Sequence, residues 1–161
     1  YGFWKIINTL NKKIEDNWIY ANSSHTIDLI RFFGGEIKSI NSFSYDYKRI
    51  KSNFSASFKF QNGAIGSYQS NWFSSGGWSV KLFGENVTVK YEPLENGIVL
   101  YKDLKIKKIK PSIYDIKYKP GFFKQMIGFK KLLISNKNIW PSQNLFDTLN
   151  TFKIINNLKT K

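Results

Sequence analysis

Phe54, Ala56, Phe58 and Phe60 alternate with Ser55, Ser57 and Lys59, the period of a strand with one buried face. Asn62-Gly63 follows and predicts a hairpin turn of the I′ kind, from which residues 65–72 return. Trp78, Val80 and Leu82 alternate in a next strand. Gly84-Glu85-Asn86 turns into residues 87–91, and Glu95-Asn96-Gly97 turns into residues 98–101. Connections this short join antiparallel neighbours. Residues 104–110 alternate Ile with Lys, as an edge strand does when its lysines guard against association.

Helical spacing flanks this block of strands. Phe3, Ile6, Ile7, Leu10 and Ile14 predict a helix over 3–15. Ile27, Ile30 and Phe33 predict one over 24–33, with Ser23 and Ser24 at the N-cap and Gly34-Gly35 as the stop. Residues 36–40 then read as a strand. Phe122, Met126, Leu133 and either Ile127 or Phe129 mark a further helix. Pro141 and Ser142 open a last one bearing Leu145, Leu149, Phe152 and Ile155. The predicted class is α+β: a largely antiparallel open sheet of five or more strands with helices packed on one face. Over residues 54–91, aromatics fall on both alternating sets: Phe54, Phe58, Phe60, Tyr68, Trp72, Phe73, Trp78, Phe83 and Tyr91. The open face is therefore expected to need a cover, either a second subunit in a homo-oligomer or loops of the same chain.

Composition narrows the class. The 161 residues are 42% hydrophobic and 17% aromatic, enough for a folded core and a single domain over 1–161. There is no cysteine, so disulfides and thiolate metal sites are excluded. No apolar run approaches the ~20 residues of a membrane span, so no membrane partner is expected and the cytoplasm is the default compartment. The formal net charge of +14 raises nucleic acid as a partner, but 23 of the 25 basic residues are lysine and arginine occurs only at 31 and 49. Arginine is the bidentate reader of phosphate and guanine. No nucleic-acid partner is therefore expected, and the positive potential suits a small acidic substrate such as a sugar nucleotide.

Residues 19–41 concentrate the candidate chemistry. They hold the one histidine, His25, at the predicted helix start, with Asp28 one turn later. The positive end of a helix dipole favours neutral imidazole, the form a general base requires. Asp28 either orients His25 or interacts only with the helix N-terminus. Arg31, further along, either meets a substrate carboxylate or phosphate or is a solvated helix charge. Trp72 and the loop 73–77 either stack on a sugar or merely connect strands. One histidine and scattered carboxylates make no metal site. Gly-x-Ser-x-Gly is absent, and no carboxylate pair supports glycoside hydrolysis.

The run Asn22-Ser-x-His25-x-Ile27-Asp28-x-x-Arg31-x-x-Gly34-Gly35-Glu36-Ile37 resembles the start of the C-terminal domain in the glucose-fructose oxidoreductase / inositol dehydrogenase (Gfo/Idh/MocA) family. Residues 58–66 are similar to its strand–Asn-Gly–strand hairpin, residues 74–84 to its next strand and turn, and residues 122–159 to its closing helices. The resemblance implies an NAD(P)-dependent oxidoreductase acting on a sugar or sugar nucleotide. It implies that His25 exchanges the proton of the substrate hydroxyl, commonly with help from a lysine of the cofactor domain. Many members carry an aspartate four residues before that histidine, where this chain has Ala21; Asn22 is expected to take over polar contact with the substrate. No Gly-x-Gly-x-x-Gly occurs here. The chain is therefore expected to be the C-terminal, substrate-binding and dimerisation part of a longer enzyme. NAD or NADP would be bound by an N-terminal domain outside it, and the fragment alone would be inactive. The other reading is a non-catalytic binding or assembly module of the same fold. The resemblance also implies subunit contact through the open sheet face.

Overall fold

A computed structural model describes residues 11–47, 50–139 and 141–159. The predicted helix over 3–15 therefore lies mostly outside the described residues; within them, α1 spans Lys12–Glu15. A π-helical turn, Ile19–Ser23, runs into α2, Ser24–Gly34. The strands are β1 (Ile37–Tyr47), β2 (Ile50–Phe60), β3 (Ile65–Asn71), β4 (Val80–Gly84), β5 (Val87–Tyr91), β6 (Gly97–Tyr101) and β7 (Ile106–Ile109). Three helices close the order: α3 (Ile113–Lys117), α4 (Phe122–Ser135) and α5 (Leu145–Lys159). The class is α+β with antiparallel, open sheets, as predicted. The strands do not form one ladder, however: β1-β2-β3 make a three-stranded sheet and β4-β5-β6-β7 a four-stranded one. The chain falls into two compact units, residues 1–75 with 145–161, and residues 76–144.

In the first unit, the alternation in β2 buries Phe54, Ala56, Phe58 and Phe60 on one face. The register pairs Phe58 with Gly66 and Ala56 with Tyr68, so Tyr68 and Trp72 join that same face. The five aromatics Phe54, Phe58, Phe60, Tyr68 and Trp72 are thus buried together, whereas Trp78 and Phe83 of the same aromatic set are exposed. The residues left outward on this sheet include Phe43, Tyr45 and Ile65. α5 packs against β1 and β2, and α2 against β3 and α5, so the core lies between helices and sheet. The inward side of α5 is Thr151, Ile154, Ile155 and Leu158, whereas Leu145, Leu149 and Phe152 are exposed. The predicted face was therefore rotated by about one residue, because a threonine occupies a buried position.

The end of α2 is fixed by the hairpin. A Cβ on Gly34 would lie 2.2 Å from the Phe60 ring, and one on Gly66 3.0 Å from it. The ring is buried and sits over both glycines. Gly35 ends the helix at φ +86° and ψ −160°, a backbone conformation open essentially only to glycine. The Asn62 amide donates to the Gly34 carbonyl at 3.1 Å, and its oxygen accepts from the Ala64 N–H at 3.0 Å. Gly63 has φ +90° but Asn62 does not have a positive φ, so the turn is not of the I′ kind, which needs both. The Asn62 side chain serves the helix instead. Gly34→Ala is expected to lower unfolding free energy by about 1–3 kcal/mol through overpacking against Phe60. A lower urea midpoint with unchanged slope checks it.

The second unit is a four-stranded meander with two helices. Gly97 lies under the Tyr91 ring and Ile109, where a Cβ would come within 2.6 and 2.9 Å. Ser112 caps α3, and its hydroxyl donates to Asp115 at 2.6 Å. The Gly121 N–H and that hydroxyl hold the Asp115 carboxyl below the usual carboxylate range.

Candidate functional site

His25 lies exposed on the first turn of α2. The helix does not begin there. Ser23 is itself helical (φ −69°, ψ −15°), makes no side-chain cap, and ends the preceding π turn. This corrects the predicted N-cap at Ser23 and Ser24 and, with it, the argument from a free helix dipole. Helical backbone continues upstream, so the amides before His25 are not an open positive end. The π turn carries Ala21 and half-buried Asn22. π turns inside helices are uncommon and frequent at functional sites.

That turn is anchored to the end of α5. The Tyr20 hydroxyl donates to Asn156, the Tyr20 ring meets Phe152 edge-on at 5.8 Å, and Lys159 Nζ lies 5.4 Å from the Tyr20 ring centroid. Lys159 also donates to the Asp16 carbonyl at 3.2 Å and to Asn17 Oδ1 at 3.0 Å.

Arg31 anchors the other end. Its side chain is buried, which corrects the picture of a solvated helix charge. Nη2 donates to Glu36 Oε1 at 2.6 Å, and Nη1 to the Asp147 carbonyl at 2.8 Å and Thr151 Oγ1 at 3.2 Å. Asp28 Oδ1 accepts the Thr151 hydroxyl at 3.0 Å and lies 4.0 Å from Nη1. A single cluster therefore ties α2, the entry to β1 and α5 together. The structure brings Asp28 and Arg31 together, as parts of this cluster. Trp72 is a core residue against Phe54, with ring centroids 5.5 Å apart, rather than the wall of an open site. Thr151 and Glu36 escaped sequence reasoning. The available signal for Thr151 was a hydroxyl inside the i, i+3, i+4, i+7 series completed by Ile154, Ile155 and Leu158.

A groove of about 430 Å³ runs beside this cluster. Glu36, Ile37 and Ser39 line one side, and Asn150, Lys153 and Asn157 the other. None of the five residues selected from sequence lines it. Among the described residues, no three His, Cys, Asp or Glu side chains are grouped to hold a metal ion. No glycine-rich turn feeds a helix N-terminus here: Gly34-Gly35 ends α2, and Gly76-Gly77 lies outside any helix.

Residues 8–90 match the family model described as the GFO/IDH/MocA C-terminal domain. No curated protein sequence matches the chain. Solved structures that share the fold include the following three. An oxidoreductase from Agrobacterium radiobacter, in complex with NAD+, L-tartaric acid and magnesium, has TM-score 0.69 and 15% identity over 86% of this chain and 45% of its own. Levoglucosan dehydrogenase in complex with NADH has TM-score 0.71 and 14% identity over 86% and 46%. The UDP-N-acetylglucosamine 3-dehydrogenase GnnA from Acidithiobacillus ferrooxidans has TM-score 0.72 and 8% identity over 85% and 44%. The chain spans less than half the length of each.

Proposed function

Because this chain belongs to the GFO/IDH/MocA C-terminal domain family, we propose that it is the substrate-binding and subunit-contact part of an NAD(P)-dependent oxidoreductase acting on a sugar or sugar nucleotide. The observation that carries the reading is His25: an exposed imidazole on α2, a helix held at both ends by buried or hydrogen-bonded side chains. A general base must be positioned before its pKa matters, and the Arg31–Asp28–Thr151 cluster supplies that positioning. His25 accepts the proton of a substrate hydroxyl in oxidation and returns it in reduction. Asn22, one turn before it, contacts the substrate. Asp28 and Arg31 act through the cluster that sets the helix, and Trp72 acts by supporting the sheet beneath. Nicotinamide chemistry belongs to a domain outside this chain, in the cytoplasm. Self-association is part of the same reading, with Phe43, Tyr45 and Ile65 as the apolar residues of the open face.

Titrating NADH and NADPH against the isolated 161-residue chain tests the division of labour. No binding in the low-micromolar range is expected; saturable binding there counts against it. Ala21 favours a second reading, a non-catalytic assembly module, because it stands where many members carry an aspartate. Turnover by the full-length protein on sugar nucleotides separates the two.

A further inference from the structure

We propose that the surface around α4 docks on an anionic lipid bilayer, independently of the catalytic reading. Phe122, Met126, Phe129 and Leu133 recur at i, i+4, i+7 and i+11, one stripe of the helix. They are 51, 61, 52 and 69% exposed. The helix is held from other sides. Phe123 stacks on Tyr114 with ring centroids 4.2 Å apart, and Gly128 approaches Ser142 closely enough that a Cβ would lie 3.2 Å from its Oγ. Phe123 and Gly128 make these contacts away from the stripe; no residue of the helix is buried, and Ile127 and Ile134 are exposed as well.

Charge selects the occupant. Residues 102–137 contain eleven lysines against two aspartates, with no glutamate and no arginine. Lys119 Nζ sits 4.6 Å from the Phe122 ring centroid, and Lys130 stands one turn from both Met126 and Leu133. A second copy of this surface would meet it with like charge. Nucleic acid would call for arginine forks and stacking rings, and gives Met126 and Leu133 nothing to bury against. A bilayer with anionic headgroups satisfies both: apolar side chains enter the acyl boundary while lysines remain among the headgroups. This is adsorption and differs from crossing. No described helix is long and apolar enough to span a membrane, and the 14 residues of α4 rise only about 21 Å.

Vesicle co-sedimentation of the 161-residue chain tests the proposal. Binding to phosphatidylcholine vesicles with about 30% phosphatidylglycerol should be at least about tenfold tighter than to phosphatidylcholine alone, and should weaken with salt. Met126→Glu/Leu133→Glu should weaken it by more than about tenfold. Lys119→Gln/Lys130→Gln should weaken it by about 25-fold, roughly fivefold per lysine. All four positions are exposed, and circular dichroism reports whether each variant is folded. If the glutamate pair unfolds the chain, the glutamine pair decides. Absence of binding to the anionic vesicles, or equal binding to neutral ones, overturns the proposal. So does binding indifferent to Met126 and Leu133, which is lysine adhesion alone. A lipid-free dimer that the glutamate pair dissociates, with no vesicle binding, assigns the stripe to a second copy and overturns it as well.

Discussion

His25→Ala in the full-length protein is expected to lower kcat by about 10²–10⁴, the usual contribution of a positioned acid or base. The argument rests on placement. His25 is the single histidine of the chain, stands exposed on a helix whose orientation is set by Arg31 and by Tyr20, and occupies the position where the family resemblance implies proton transfer. His25→Asn preserves hydrogen bonding but cannot shuttle a proton at neutral pH. It should therefore lose the same rate while leaving the urea midpoint unchanged, and the limb of the pH–rate profile belonging to the base should disappear. Near-normal turnover by His25→Asn, together with a lowered midpoint, would make the imidazole structural. The proton would then have to be handled by a residue of the cofactor domain.

Arg31→Met carries the largest expected effect on stability, a loss of about 2–4 kcal/mol. Methionine keeps much of the stem volume, so the change isolates the guanidinium. Its removal strips the Asp147 carbonyl and Thr151 hydroxyl of a charged donor and leaves Asp28 facing them without its cation, in a part of the fold where water does not readily replace it. Thr151→Val should cost less, about 1–2 kcal/mol, because one hydrogen-bonded hydroxyl is lost and the guanidinium keeps its other partners. Glu36→Gln should cost least. The Glu36 side chain is 56% exposed, and exposed ion pairs contribute about 0–1 kcal/mol. Urea unfolding of the three variants checks the order. Equal losses from Arg31→Met and Glu36→Gln, with little from Thr151→Val, would mean that the arginine acts only through Glu36.

Much of the architecture is legible in single residues. The alternation of β2 depends on nothing but the two-residue period, and Gly34-Gly35 stops a helix because a positive φ is needed at Gly35. The rest depends on partners remote in sequence. Ser23 and Ser24 have the chemistry of a cap, but a π turn upstream already supplies helical backbone, and no local pattern announces it. Asn62-Gly63 has the residues of a I′ turn, yet Asn62 is engaged by a carbonyl on α2. Arg31 reads as a contact for a substrate anion or as a solvated charge until Asp147 and Thr151, more than a hundred positions later, are placed beside it. Trp72 reads equally as a sugar platform or part of a strand connection until the register of β3 turns it inward. Residue type shows what a side chain is able to do; which of those options is realised depends on what the remainder of the chain brings against it.

The Asn62–Gly34 hydrogen bond and the Phe60 ring over Gly34 have a consequence for the order in which protection is lost. Beside the local bond from the Gly35 N–H to the Arg31 carbonyl, the last turn of α2 takes a second cap from a strand connection 28 residues away. That turn cannot fray while the β2–β3 hairpin is intact, and cannot persist once the hairpin opens. Amide exchange at Gly35, whose N–H is bonded to the Arg31 carbonyl at 2.8 Å, should therefore follow the opening free energy of the hairpin amides instead of the faster local opening usual at helix ends. The helix that carries His25 and the hairpin behind it would open as one cooperative unit.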